Sequence, residues 1–81
     1  MRAKVFVSLK KTVLDPQGQT IHTAVAGLGF QGVSGVRQGK FFDLALRDGL
    51  TREQASDEVD RLARDVLTNP VIEEYSFVIE E

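Results

Sequence analysis

Apolar and polar residues alternate in three segments of the chain, and a period of two is typical of β-strands. The first segment runs from Arg2 to Lys10, with Ala3, Val5, Val7 and Leu9 on one face. The second covers residues 36–47, and the third covers residues 71–80 and is apolar on both faces. The pattern therefore predicts three strands.

A helical period lies between the first two strands. Its apolar stripe is Ile21, Ala24, Val25 and Leu28. The stripe has the spacing of an amphipathic helix. Before it, Asp15-Pro16-Gln17-Gly18 has the residue preferences of a type I turn, so we expect a turn there and then the helix.

A second helix is predicted to begin at Thr51, because Thr51 and Gln54 form a capping box. Its apolar stripe is Ala55, Val59, Leu62, Ala63 and Val66. Asn69-Pro70 ends the helix, since the residue before proline avoids the α region.

The element order predicts one α+β domain covering residues 1–81. We expect a two-layer βαβαβ sandwich of reduced ferredoxin-like type. Its three-stranded antiparallel sheet would have the order third, first, second, with both helices on one face. A parallel sheet built by two right-handed crossovers stays open as an alternative.

The second face of such a sheet would be bare, and several apolar residues would point to it. Phe6, Phe41 and Ala45 belong to this face, together with either Ile72 and Val78 or Tyr75 and Phe77 according to the register of the third strand. We take Tyr75 and Phe77 as its members. Clustered exposed apolar residues mark interfaces, so we expect self-association, first as a dimer and then as a dimer of dimers.

Composition narrows the functional classes. Ten basic and twelve acidic residues give a net charge of −2, the wrong sign for a protein that binds phosphate backbones. The chain has no cysteine, and no apolar run is long enough for a signal peptide or a membrane span, so we expect a cytoplasmic location.

Candidate chemistry is sparse. Residues 27–32 match G-x-G-x-x-G by letter, but they lie at the end of a helix, whereas a dinucleotide site needs the start of one. His22 is the single histidine, and it has no neighbouring set of metal ligands. We therefore expect no catalytic residue, cofactor or metal on this chain, and we expect His22 to be a solvated surface residue.

The whole chain resembles the PurS family, the small subunit of phosphoribosylformylglycinamidine (FGAM) synthase. The segments that carry the resemblance are residues 4–10, 13–18, 28–30, 36–40 and 69–73, which include the sequences DPQG, VRQGK and NPVIE. The order of these segments along the chain is more specific than any one of them.

The resemblance implies a role in the fourth step of purine biosynthesis, where FGAR, ATP and glutamine give FGAM, ADP, phosphate and glutamate. It implies that PurL carries the ATP and Mg chemistry and that PurQ releases ammonia from glutamine. The chain would be the non-catalytic subunit of this ligase, bridging PurL and PurQ as a homo-oligomer.

Two segments are expected to dock partners. They contain Asp15, Pro16 and Gly18 in the first loop and Arg37, Gly39 and Lys40 in the second strand. An alternative function is a small-molecule sensing domain of the ACT type, with a ligand bound near the loop that holds Asp15. An RNA-binding sheet is a third and weaker hypothesis, because the net charge is acidic.

Overall fold

Three strands and two helices follow one another along the chain, and the computed structural model describes all residues from 1 to 81. In chain order the elements are β1 (Arg2–Leu9), α1 (Pro16–Gly27), β2 (Gly39–Ala45), α2 (Arg52–Leu62), a π-helical turn (Ala63–Leu67) and β3 (Glu73–Glu80). The element order and fold class predicted from the sequence are confirmed.

The sheet has the order β2-β1-β3, and both strand pairs are antiparallel. The predicted sheet order is therefore confirmed, and the parallel alternative is excluded. Val5, at the centre of β1, lies opposite Phe42 on one side and Phe77 on the other. This register decides which side chains of the outer strands face the helices.

A small core lies between the sheet and α2. Its fully buried members come from β1, α2 and the first residue of the π-helical turn: Ala3, Val5, Val7, Ala55, Val59 and Ala63. Partly buried residues surround it: Phe42, Leu44, Leu46, Leu67, Tyr75, Phe77 and Ile79. Alternation along β1 therefore places one whole face of that strand in the core, as the pattern predicts.

Tyr75 and Phe77 lie on the helix side of the sheet, so their assignment to the bare face is wrong. Each is paired with a buried residue of β1, Tyr75 with Val7 and Phe77 with Val5. Residues paired across two strands share a face. The Tyr75 hydroxyl also donates to the Asp60 carboxylate of α2 at 2.6 Å, and this bond raises the pKa of Tyr75. Val78 takes their place on the bare face, where it is half exposed.

The position of α1 also differs from the prediction. Of the two helices, α2 packs against the sheet through β3, whereas α1 makes no comparable contact with any strand. Only Gly18 of α1 is buried. The reason lies in the topology: β1 and β2 are antiparallel neighbours joined at one end of the sheet, so their connection has no need to cross it.

Residues 10–38 therefore form a projection from the end of the sheet, here called the arm. The chain measures 50 × 27 × 14 Å along its principal axes, with a radius of gyration of 16.1 Å. A compact domain of this length has a radius of gyration of about 12 Å. The elongation leaves the arm with little cover from the rest of the chain.

Each helix begins at a residue whose side chain caps its N-terminus. The segment 15–18 is the first turn of α1, in which Asp15 is the N-cap and Pro16 occupies the first helical turn. The capping box of Thr51 and Gln54 is confirmed.

Val66, which the sequence pattern places in the buried stripe of the second helix, is 70% exposed, contrary to the prediction. The π-helical turn adds one residue to the helical repeat, so Leu67 packs against the core instead.

Candidate functional site

The face of the sheet opposite α2 carries a pair of stacked phenylalanines. Phe6 and Phe41 are partners across β1 and β2, with ring centroids 6.1 Å apart. They are 46% and 60% exposed. Val78 is diagonal to Phe6 on β3, and these three residues form the open-face patch. Ala45 shares the face but lies beyond Asp43, away from the two rings.

Ion pairs flank the open-face patch. Arg2 contacts Asp43 at 2.9 Å, and Lys4 approaches Glu80 at 3.4 Å. The hydrogen bond from Arg2 lowers the pKa of Asp43. Exposed pairs of this kind add little stability. They do mean that the polar groups beside the rings already have partners, which lowers the cost of covering this face.

Asp15 fastens the base of the arm. Its carboxylate is buried and accepts from the backbone N–H of Gly18 at 2.9 Å and from the backbone N–H of Gln38 at 2.6 Å. The bonds from Gln38 and Gly18 lower the pKa of Asp15, because they favour its charged form. Asp15 thereby joins the start of α1 to the residues that lead into β2. Of the six residues predicted to dock partners, Asp15 is thus used within the chain.

Arg37 has a similar internal role. One terminal nitrogen of its guanidinium donates to the carbonyl oxygens of Lys10 at 2.9 Å and Val13 at 3.0 Å. These bonds hold the first part of the arm against its returning segment. Reversing the charge of Arg37 would therefore break contacts within the chain as well as any contact with a partner.

Two glycines permit close approach of the backbone at the same place. A Cβ at Gly18 would lie 2.4 Å from the carbonyl oxygen of Val36, and one at Gly39 would lie 2.5 Å from that of Val7. Neither distance is possible for a real side chain. Gly39 is the first residue of β2 and pairs with Ser8. The DPQG and VRQGK sequences thus meet each other, and their residues form one structural junction.

Pro16 and Lys40 remain exposed at this junction. The Lys40 ammonium is 3.9 Å from the Glu73 carboxylate and 5.8 Å from the ring centroid of Phe42. A depression of about 250 Å³ lies beside it, lined mostly by polar residues. Lys40 is therefore the predicted docking residue whose charge is most available to a partner.

His22 is half-buried, which corrects the expectation of a solvated residue. Its Nε2 lies 3.2 Å from the carbonyl oxygen of Val33 and joins α1 to the returning part of the arm. No group of three or more histidine, aspartate or glutamate side chains is arranged to hold a metal ion. No helix has both the length and the apolar character needed to cross a membrane.

The exposed apolar residues of the arm do not follow from the sequence pattern. They are Leu14, Ile21, Leu28, Phe30 and Val33. The stripe on α1 was visible in the sequence, but the pattern does not say what covers it. The signal that could have found this surface is the predicted antiparallel pairing of the first two strands, which frees their connection from the sheet.

Comparison with known protein families identifies the family of the chain. Residues 2–81 match the family model for PurS, described as phosphoribosylformylglycinamidine (FGAM) synthase. The chain belongs to the PurS family. The match covers both the junction at the base of the arm and the open-face patch, so these features lie within the PurS domain.

Individual PurS proteins agree with the family match. The PurS subunit of FGAM synthase from Mycobacterium leprae is 42% identical over 79 residues, 98% of this chain and 95% of that protein. The crystal structure of PurS from Methanocaldococcus jannaschii has a TM-score of 0.86 at 36% identity, covering 99% of this chain and 95% of that one. A chain of the PurLQS structure from Thermotoga maritima has a TM-score of 0.86 at 28% identity, covering 95% and 93%.

Proposed function

We propose that the chain is the small, non-catalytic subunit of FGAM synthase and that it holds a PurL synthetase and a PurQ glutaminase in one complex. The observation that carries the proposal is the match over nearly the whole chain to a subunit of PurLQS. In this reaction FGAR, ATP and glutamine give FGAM, ADP, phosphate and glutamate. The ATP and Mg sites belong to PurL in this account, and the location is the cytoplasm.

The physical value of such a subunit lies in the transfer of ammonia. Ammonia released into water is diluted and largely protonated at neutral pH, and the ammonium ion is not a nucleophile. A complex that keeps the two active sites together supplies the reactant at high effective concentration. It also excludes water from the path between the sites. A subunit needs surfaces for this task and no reactive groups of its own.

Two exposed surfaces of the chain support this function, one for self-association and one for docking a larger subunit. We assign self-association to the open-face patch, because Phe6 and Phe41 present stacked rings to solvent. Docking of a larger subunit is assigned to the junction near Lys40 and Pro16, where the chain's own bonds leave an exposed cation. Asp15, Gly18, Arg37 and Gly39 support this surface from within.

The sensing alternative has less support. A ligand site after the first strand would need polar groups without partners, yet both carboxylate oxygens of Asp15 bind amides of the chain itself. Arg37 is likewise bonded to backbone carbonyls. The region is thus filled by internal contacts.

The proposal is tested by mixing the chain with PurL and PurQ in the presence of ADP and glutamine and measuring the mass of the products. A complex that contains all three proteins supports it. Stable association of PurL with PurQ at equal affinity without this chain contradicts the bridging role. Saturable binding of an amino acid to the isolated chain, with no complex formed, would favour the sensing domain.

A further inference from the structure

The depression of about 250 Å³ beside Lys40 lies at the end of the sheet, next to the base of the arm. Val7 and Leu9 of β1 form its apolar floor. Lys40 stands on one side of the floor, because it is the β2 partner of Val7. Glu73 stands on the other side, because it is the β3 partner of Leu9. Residues paired across strands share a face, so both charged side chains flank the same concavity, here called the Lys40 pocket.

The two acidic residues of the Lys40 pocket already have partners within the chain. One carboxylate oxygen of Glu73 accepts from the backbone N–H of Asn69 at 2.7 Å, and the other lies 3.9 Å from the Lys40 ammonium. The Glu73 side chain is only 17% exposed. Asp15 binds two backbone N–H groups of the arm through its two oxygens. Neither carboxylate therefore needs a cation from another molecule.

Lys40 has the opposite balance. Its ammonium carries three N–H donors and its side chain is 55% exposed. The distance of 3.9 Å to Glu73 is well beyond the ~2.8 Å of a hydrogen bond between ions. The ammonium also lies 5.8 Å from the ring centroid of Phe42, a contact that favours one position of the charge. The pocket thus holds a cation in place and leaves its donors free.

Two glutamines of the arm complete the rim of the Lys40 pocket. They are Gln17 and Gln38, and their side-chain amides make no hydrogen bond within the chain. Each amide offers two N–H donors, and a carboxylate has room for about four hydrogen bonds. Donors around an apolar floor suit an anionic group at the end of a short aliphatic stem. An aspartate or glutamate side chain has this composition.

We propose that the Lys40 pocket receives an aspartate or glutamate side chain of a larger subunit, PurL or PurQ, whose carboxylate pairs with Lys40. The inference rests on the bridging function proposed above and names the chemistry of the contact. A volume of about 250 Å³ is below the ~300 Å³ at which pockets for free small molecules begin, so one side chain is the better fit. Self-association is assigned to the opposite face of the sheet, which leaves this pocket to a larger subunit.

Carbodiimide crosslinking of the assembled complex tests the contact directly. The reagent condenses an amine and a carboxylate in contact into an amide, with loss of water. The chain is mixed with PurL and PurQ in the presence of ADP and glutamine, and the linked peptides are identified by mass spectrometry. We expect Lys40 to be joined to an aspartate or glutamate of PurL or PurQ. Lys11, an exposed lysine of the arm, is the matched control and should be joined much less.

Three other results contradict the inference, and they separate it from the bridging function. Lys40 joined only to Glu73 of its own chain within an intact complex would overturn the inference and leave the bridging function standing. Lys40 joined to a carboxylate of a second copy would do the same. Failure of the natural chain to form any complex would contradict the bridging function, and the inference with it.

Substitutions of Lys40 separate its charge from its reactivity. Lys40→Arg keeps the positive charge, but a guanidinium stays protonated and forms no amide, so we expect the crosslink to vanish and the complex to persist. Lys40→Gln removes the charge, and we expect the Kd of the complex to rise at least about tenfold and to depend less on salt. Lys11→Gln should leave the Kd unchanged, and circular dichroism shows that each variant is folded. Equal affinity of the natural chain and Lys40→Gln would overturn the inference.

Discussion

Replacing Phe41 by serine tests the assignment of self-association to the open-face patch. Phe41 is 60% exposed. A fully exposed phenylalanine offers ~200 Å², so covering this residue removes about 120 Å² from water. At ~25 cal/mol per Å² this is worth about 3 kcal/mol in each copy. In a two-fold contact the substitution removes this contribution from both copies, so the loss of association free energy has an upper limit of about 6 kcal/mol.

The measured loss should be smaller than that limit, because association does not return the full area-based value. We expect about half of it, roughly 3 kcal/mol, or a rise in Kd of about a hundredfold. The patch offers only ~300 Å² of apolar side chain per copy, well below a standard interface. The association formed through this patch should therefore be weak and should depend on protein concentration.

Sedimentation equilibrium over a wide concentration range measures this association. Val66→Ser is the matched control, since Val66 is also strongly exposed but lies on the helix side. We expect Phe41→Ser to abolish the association and Val66→Ser to leave it unchanged. If Phe41→Ser leaves association unaltered, or if Val66→Ser weakens it equally, the open-face patch is not a self-association surface.

Three further predictions concern the base of the arm and its exposed cation. Gly18→Ala should lower the melting temperature because its Cβ has no room, whereas Gly27→Ala, with no atom within 4 Å, should raise it by a few degrees, since alanine is favoured over glycine in a helix. Equal effects of the two substitutions would contradict the packing described. The pKa of Asp15 is lowered in the folded state, so its stabilising contribution is present above its ordinary value of 3.8 and is lost as the pH falls through the lower folded value. Denaturant unfolding as a function of pH should show Asp15→Asn losing less stability than the natural chain over that acid range, and parallel curves would refute the linkage. Lys40→Glu should weaken binding to PurL and PurQ, and Lys11→Glu should change it less; equal binding by both variants in a co-elution assay would remove Lys40 from the interface.

Alternation along the chain was enough to find the sheet because β1 alternates strictly. Ala3, Val5 and Val7 can face only one way, and they fix the inner face. The third strand is apolar on both sides, so its own pattern does not choose a face. The register with β1 chooses it and sends Tyr75 and Phe77 inward. Pairing between distant segments is not encoded in the local period.

The helices illustrate the same limit at a larger scale. Thr51 and Gln54 fix the start of α2, because a capping box is a local interaction. The predicted burial of Val66 is wrong, because a π-helical turn shifts the helical repeat by one residue there. For α1 the stripe was correct, but its partner surface was not. A helix pattern states that a face is apolar and leaves open which molecule covers it.

Only part of the candidate site can be predicted from the sequence. The stacked pair of Phe6 and Phe41 follows from the alternation of two strands, and it is present. Asp15 stands out in the sequence by its turn preference and Arg37 by its place in a basic segment, and both are expected to dock partners. Their hydrogen bonds show that they also hold the arm in place. A motif shared by a family can thus mark an internal junction as well as a contact surface.

The bridging role is tested most directly by the amount of FGAM formed per glutamate released in a mixture of PurL, PurQ, ATP, FGAR and glutamine. With this chain present, we predict a ratio near one, because ammonia reaches the synthetase without escaping. Without it, the ratio should fall, and added ammonia should restore synthesis. A ratio that is the same with and without the chain would contradict the account.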